Sequence, residues 1–122
     1  MSQFASSILF SIDTALQLNG GVNKETITTT KTLTYRDSTV QLITPSGGSK
    51  TVKLPALKGG VQFLIANLDP SNTLKVWTPT DVELVTLAAN SSSTPVGSSC
   101  LCWCDGSVWT CITIISHIGF SA

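Results

Sequence analysis

Cys100-Leu101-Cys102-Trp103-Cys104-Asp105-Gly106-Ser107-Val108-Trp109-Thr110-Cys111 reads as two short strands around an Asp-Gly turn, and it decides the fold class. Asp-Gly supplies the two positive-φ positions of a type I′ hairpin turn. A two-residue loop pairs Cys104 with Ser107 and Cys100 with Cys111. Strand alternation then sets Leu101, Trp103, Val108, Ile112 and Ile114 on one face, expected to be the core. Cys100, Cys102, Cys104, Trp109 and Cys111 share the opposite face.

Outward from this hairpin, Thr, Val and Ile dominate from Thr26 onward. Turn residues recur at about the 8–12-residue spacing of sandwiches and barrels. The expected strands are Thr28–Tyr35, Thr39–Ile43, Lys50–Leu54, Val61–Ala66, Thr73–Trp77, Val82–Leu87, Cys100–Cys104 and Ser107–Ile115. Breaks such as Pro45-Ser46-Gly47-Gly48 and Thr78-Pro79-Thr80-Asp81 carry turn chemistry, and Ser91–Gly97 is the longest polar loop. The expectation is an all-β domain over residues 26–122, an antiparallel β-sandwich or small barrel of jelly-roll or β-tulip type, with about eight strands.

The first 25 residues differ. Phe4, Ile8, Ile12 and Leu16 recur every four positions, as on an amphipathic helix, whereas Ile8, Phe10 and Ile12 suit a strand equally well. Asn19-Gly20-Gly21 breaks either element. Residues 1–25 therefore read as an apolar arm on a glycine hinge or as an ordinary first strand.

Four cysteines in twelve positions raise the question of metal. Structural zinc favours Cys-x₂₋₄-Cys knuckles, whereas Cys-x-Cys on a strand spaces its sulfurs along one face, so no metal site is expected. In the two-residue-loop register Cys100 faces Cys111 as a hydrogen-bonded pair, with Cα atoms about 5.5 Å apart and poorly aimed Cβ atoms. A bridge there would be strained, which favours packed free thiols and leaves their redox state open.

Catalysis finds little to build on. His117 is the single histidine, and the seven acidic residues are scattered, most of them beside turns. No glycine pair opens a phosphate-binding helix. The expectation is a protein that is not an enzyme, with no catalytic residues and no cofactor. Trp77 and Trp109 are candidates for sugar stacking or for a subunit interface, and interface is favoured, together with His117 and Phe120.

Only 11% of the residues are charged, against roughly 25% in ordinary soluble domains, and seven basic residues balance seven acidic ones. Much of the surface must then be hydroxyl and amide, or be covered by partners. No basic cluster marks a nucleic-acid partner, and no apolar run reaches the ~20 residues of a membrane helix. No Lys or Arg precedes Lys24, and Asp13 interrupts the apolar start, unlike a secretory leader. Synthesis in a cytoplasm is expected.

From Leu33 to Thr110 the chain resembles a recurrent β module of bacteriophage virion proteins, found in capsid decoration (cement) proteins and in tail-fibre domains. The residues that carry the likeness are Thr51-Val52-Lys53-Leu54-Pro55, then Gly59-Gly60 leading into Phe63-Leu64-Ile65-Ala66-Asn67. Leu74-Lys75-Val76-Trp77 and the late Asp105-Gly106-Ser107-Val108-Trp109 complete it. The Ile-Asp-Gly turn usual in the module is replaced here by Val85-Thr86-Leu87-Ala88-Ala89-Asn90. The resemblance implies a homotrimer about a threefold axis, on the outer capsid surface of a virion, stabilising contacts between capsomers. The arm residues Phe4, Ile8, Phe10, Ile12 and Leu16 would then contact the major capsid protein. The other role it implies is a tail-fibre or receptor-binding protein, holding a host surface glycan through Trp77 or the Ser91–Gly97 loop.

Overall fold

The computed structural model describes residues 21–91 and 97–114, which form nine β-strands and no helix. The strands are β1 (Val22–Ile27), β2 (Lys31–Thr32), β3 (Val40–Pro45), β4 (Lys50–Lys53), β5 (Gln62–Asn67), β6 (Leu74–Trp77), β7 (Glu83–Leu87), β8 (Ser99–Cys104) and β9 (Trp109–Ile114). They build two sheets, a five-stranded one in the order β1-β3-β5-β8-β9 and a four-stranded one in the order β2-β4-β6-β7. The all-β expectation holds.

The pairing is not antiparallel throughout, and the strands do not close a barrel. From β1 to β6 the chain alternates between the sheets, so β1, β3 and β5 run parallel in one and β2, β4 and β6 run parallel in the other. Val22 pairs with Val40 and Val40 with Leu64, giving a flat coil with a repeat of roughly 20 residues, at the short end for solenoids. Antiparallel pairing begins only with β7 on β6, β8 on β5 and β9 on β8. These three strands end the coil at one side.

Inward-facing side chains from both sheets form one core. Ile27, Ile43, Phe63 and Ile65 come from the larger sheet, and Val52, Leu74, Val76 and Leu87 from the smaller. Leu33 and Leu54, in the connections between sheets, are also buried. Asn67 is buried and polar, and it is satisfied by its neighbours. Its Nδ2 donates to the carbonyls of Asn72 (2.8 Å) and Ala88 (3.0 Å), and its Oδ1 accepts from the Asp69 N–H. One side chain thus ties the end of β5 to the β6–β7 hairpin.

At the β1 end the core stops on a polar chain. Asn23 Nδ2 donates to Gln41 Oε1 and to Glu25 Oε1, each at 2.8 Å, and Lys31 Nζ lies 2.8 Å from Glu25 Oε1. These inward polar groups close the coil where no further described strand follows, as in a terminal repeat. They also explain a misread boundary. Val22–Ile27 is a strand of the domain, although the domain was expected to begin at residue 26. Conversely, Thr28–Tyr35 contributes only Lys31–Thr32, because the Asp37 carboxylate accepts from the Thr34 N–H at 2.7 Å and turns the chain away.

The β8–β9 hairpin is real but wider than two residues. The Asp105 carboxylate accepts from the N–H groups of Ser107 (2.8 Å) and Val108 (3.0 Å), and Gly106 has φ +103°. The loop therefore spans Asp105 to Val108. Cys104 faces Trp109 and Cys102 faces Cys111, while Cys100 faces Thr113. The pairing slips by two residues, so the two groups of residues keep their separate faces. Their sides are exchanged, however. Cys100, Cys102, Cys104 and Trp109 are buried in the core, whereas Trp103, Val108 and Ile112 are exposed.

Candidate functional site

The outer face of the five-stranded sheet is the feature of the fold most in need of an explanation. Its register aligns Val22, Val40, Leu64, Leu101 and Ile112 in one row, a residue from every strand of the sheet. A second row holds Lys24, Leu42, Ala66, Ser99 and Ile114, and a third sets Gln62 beside Trp103 and Thr110. The first row contains no polar side chain.

Exposure along that row is greatest at its two ends, 48% for Val22 and 52% for Ile112. The three members between them are half-buried by their neighbours. Trp103 and Val108 extend the apolar surface at the β9 end. A strand that is apolar on both sides, as Phe63-Leu64-Ile65-Ala66 is, usually belongs to a sheet covered on both faces. Here the smaller sheet covers only one. A contiguous apolar patch of this kind marks an interaction surface.

On the core side of the same strands the cysteines cluster. Cys102 and Cys111 form a disulfide between Cα atoms 4.1 Å apart, close to the spacing of a non-hydrogen-bonded pair. The slipped register therefore sets Cys102, not Cys100, opposite Cys111, and these two are bridged where packed free thiols were expected. Cys100 and Cys104 are free and buried. Burial pushes the Cys100 thiol up to about 12, although a backbone hydrogen bond from Ile65 works in the opposite direction. The sulfurs of Cys100, Cys102 and Cys111 all lie within 4.8 Å of one another.

The tryptophans named from the sequence separate. Trp109 is buried in the core, where its Nε1–H donates to the Pro55 carbonyl at 2.9 Å and its ring lies 6.2 Å from Phe63. It offers no surface to a subunit or a sugar. Trp77 points to the outer side of the smaller sheet and is half-buried, and its Nε1 is buried without a hydrogen-bond partner. Trp103, assigned from the sequence to the core, is instead the tryptophan of the β8–β9 hairpin that reaches the surface. Arm residues Phe4, Ile8, Phe10, Ile12 and Leu16, and His117 and Phe120, lie outside the described residues, as do 92–96 of the serine loop.

Among the described residues, two carboxylates have perturbed acidity, each for a local reason. Hydrogen bonds from Lys31 and Asn23 hold Glu25 below its ordinary value. Asp105 is held low by the Val108 and Ser107 N–H groups of its own turn. Both are structural contacts. The chain matches no protein-family model, no curated protein and no solved structure.

Proposed function

We propose that this chain is a structural, non-enzymatic protein of a bacteriophage particle. In this reading it is a capsid decoration protein that assembles as a homotrimer on the head and stabilises contacts between capsomers. The observation that carries the reading is the unbroken row Val22–Val40–Leu64–Leu101–Ile112 on a sheet face that no other described strand covers.

A second copy of the chain is the occupant this face suits. The three rows carry one charge, Lys24, so bringing two such faces together opposes few like charges. The most exposed members stand at opposite ends, Val22 on β1 and Ile112 on β9. Contact between the β1 end of one copy and the β9 end of the next is heterologous, and such contacts form a ring when the rotation between copies closes. Three copies give the ring that the likeness to decoration proteins implies. The arm joins the domain at Gly21, which has φ +93°. Its residues Phe4, Ile8, Phe10, Ile12 and Leu16 are assigned to the major capsid protein.

Electron microscopy of particles labelled with antibody against this chain tests the role. Hundreds of copies spread over the head support it. A few copies confined to the tail overturn it in favour of a fibre or receptor-binding protein, and unlabelled particles remove the virion from the account.

A further inference from the structure

We propose that the reduced protein binds one thiophilic metal ion of the copper(I) class through Cys100, Cys102 and Cys111. Cys100 and Cys102 alternate along one strand with their sulfurs 3.6 Å apart, and Cys111 arrives from β9 opposite Cys102. All three sulfurs fall within 4.8 Å of one another. For metal–sulfur bonds of about 2.3 Å, three sulfurs in a plane around one ion stand roughly 4.0 Å apart, so small side-chain rotations complete the site.

The donor set selects the ion. Among the described residues no histidine or carboxylate joins the three sulfurs. Structural zinc takes four ligands, whereas three soft donors without a fourth suit a soft ion that accepts trigonal coordination. Cys100 and Cys102 are buried, which excludes water, while half-buried Cys111 on the edge strand β9 gives the ion a way in.

Loading requires the disulfide to open. A dithiol supplies two electrons and two protons, leaves as its own disulfide, and converts Cys102 and Cys111 to thiols. The ion then displaces one proton from each of the three thiols as three metal–sulfur bonds form. Oxidation ties up two of the three donors, so the site exists only in the reduced protein.

The test uses the full chain, reduced with a phosphine under argon and titrated with copper(I) against a chromogenic chelator. X-ray absorption at the copper edge counts the sulfurs. The expected result is one ion with three sulfurs in the reduced protein and none in the oxidised protein. Cys100→Ser and Cys100→Ala should each lower affinity by more than the roughly 10–100-fold typical of losing a residue that only orients a ligand. Cys104→Ser, outside the trio, should leave it unchanged. Re-formation of the Cys102–Cys111 disulfide on oxidation verifies that each variant is folded. No competition by reduced wild type, or equal binding through two sulfurs in both Cys100 variants, overturns the proposal.

Discussion

Leu101 faces Ile112 across β8 and β9 on the open side of the larger sheet, and the next pair along, Cys102 with Cys111, is bridged on the core side. One hairpin therefore presents the apolar outer row and is stapled from beneath it. The disulfide holds the strands that carry the β9 end of that row, so the covalent link and the candidate interface belong to one element.

Opening that link should loosen the hairpin without abolishing the fold. The bridge closes a short loop, with a sequence separation of 9. Chain entropy then assigns it about 2.6 kcal/mol. Denaturant unfolding of the protein with and without a phosphine reductant should show a loss of that order. An unchanged midpoint would mean that the two sulfurs are not bridged in solution.

Trp109 anchors the same hairpin to the far side of the domain. Its Nε1–H reaches the carbonyl of Pro55, fifty-four positions away in sequence. Trp109→Phe keeps much of the packing on Phe63 but leaves that carbonyl without its donor, at a cost of about 1–3 kcal/mol. Trp109→Ala adds a cavity and should cost about 3–5 kcal/mol. Equilibrium unfolding of the two variants checks the order. Equal losses would mean that the hydrogen bond contributes nothing beyond the ring's volume.

Acid should weaken the β1 end of the coil. Glu25 is held below its ordinary 4.5 by Lys31 and Asn23, so the folded state favours the ionised form. Its contribution is complete above pH 4.5 and is lost as pH falls through the lower folded value. Glu25 is partly exposed, so solvent screening keeps the effect small. Glu25→Gln should be less stable than wild type at pH 7, and the difference should shrink towards pH 3. Thermal melts of both proteins across that range provide the comparison.

The Asp105-Gly106 hairpin, the separation of its residues into two faces and most strand positions were legible in the sequence. Which face was the core was not. Phe63 and Ile65 on one side of β5 and Leu64 and Ala66 on the other are all apolar, so alternation identifies no solvent side. The register was missed because the Asp105 carboxylate binds two backbone N–H groups and opens the loop from two residues to four. That slip sets Cys102 rather than Cys100 opposite Cys111, and a bridge forms where packed free thiols were expected. β1 was hidden by its inward Asn23 and Glu25, which pair with Gln41 and Lys31 instead of contributing apolar side chains. Parallel pairing joins strands a whole coil apart, and no local turn announces it.

The mass of the native full-length chain in solution, measured by light scattering for wild type and for Ile112→Asp, tests the assembly claim most directly. Ile112 is half exposed on an edge strand, so the substitution should cost the monomer about 1 kcal/mol in strand propensity and lost packing. Circular dichroism confirms that the strands remain. The account predicts a trimer for wild type and a monomer for the variant at the same concentration. A wild-type monomer at all concentrations, or a variant that stays trimeric, contradicts it.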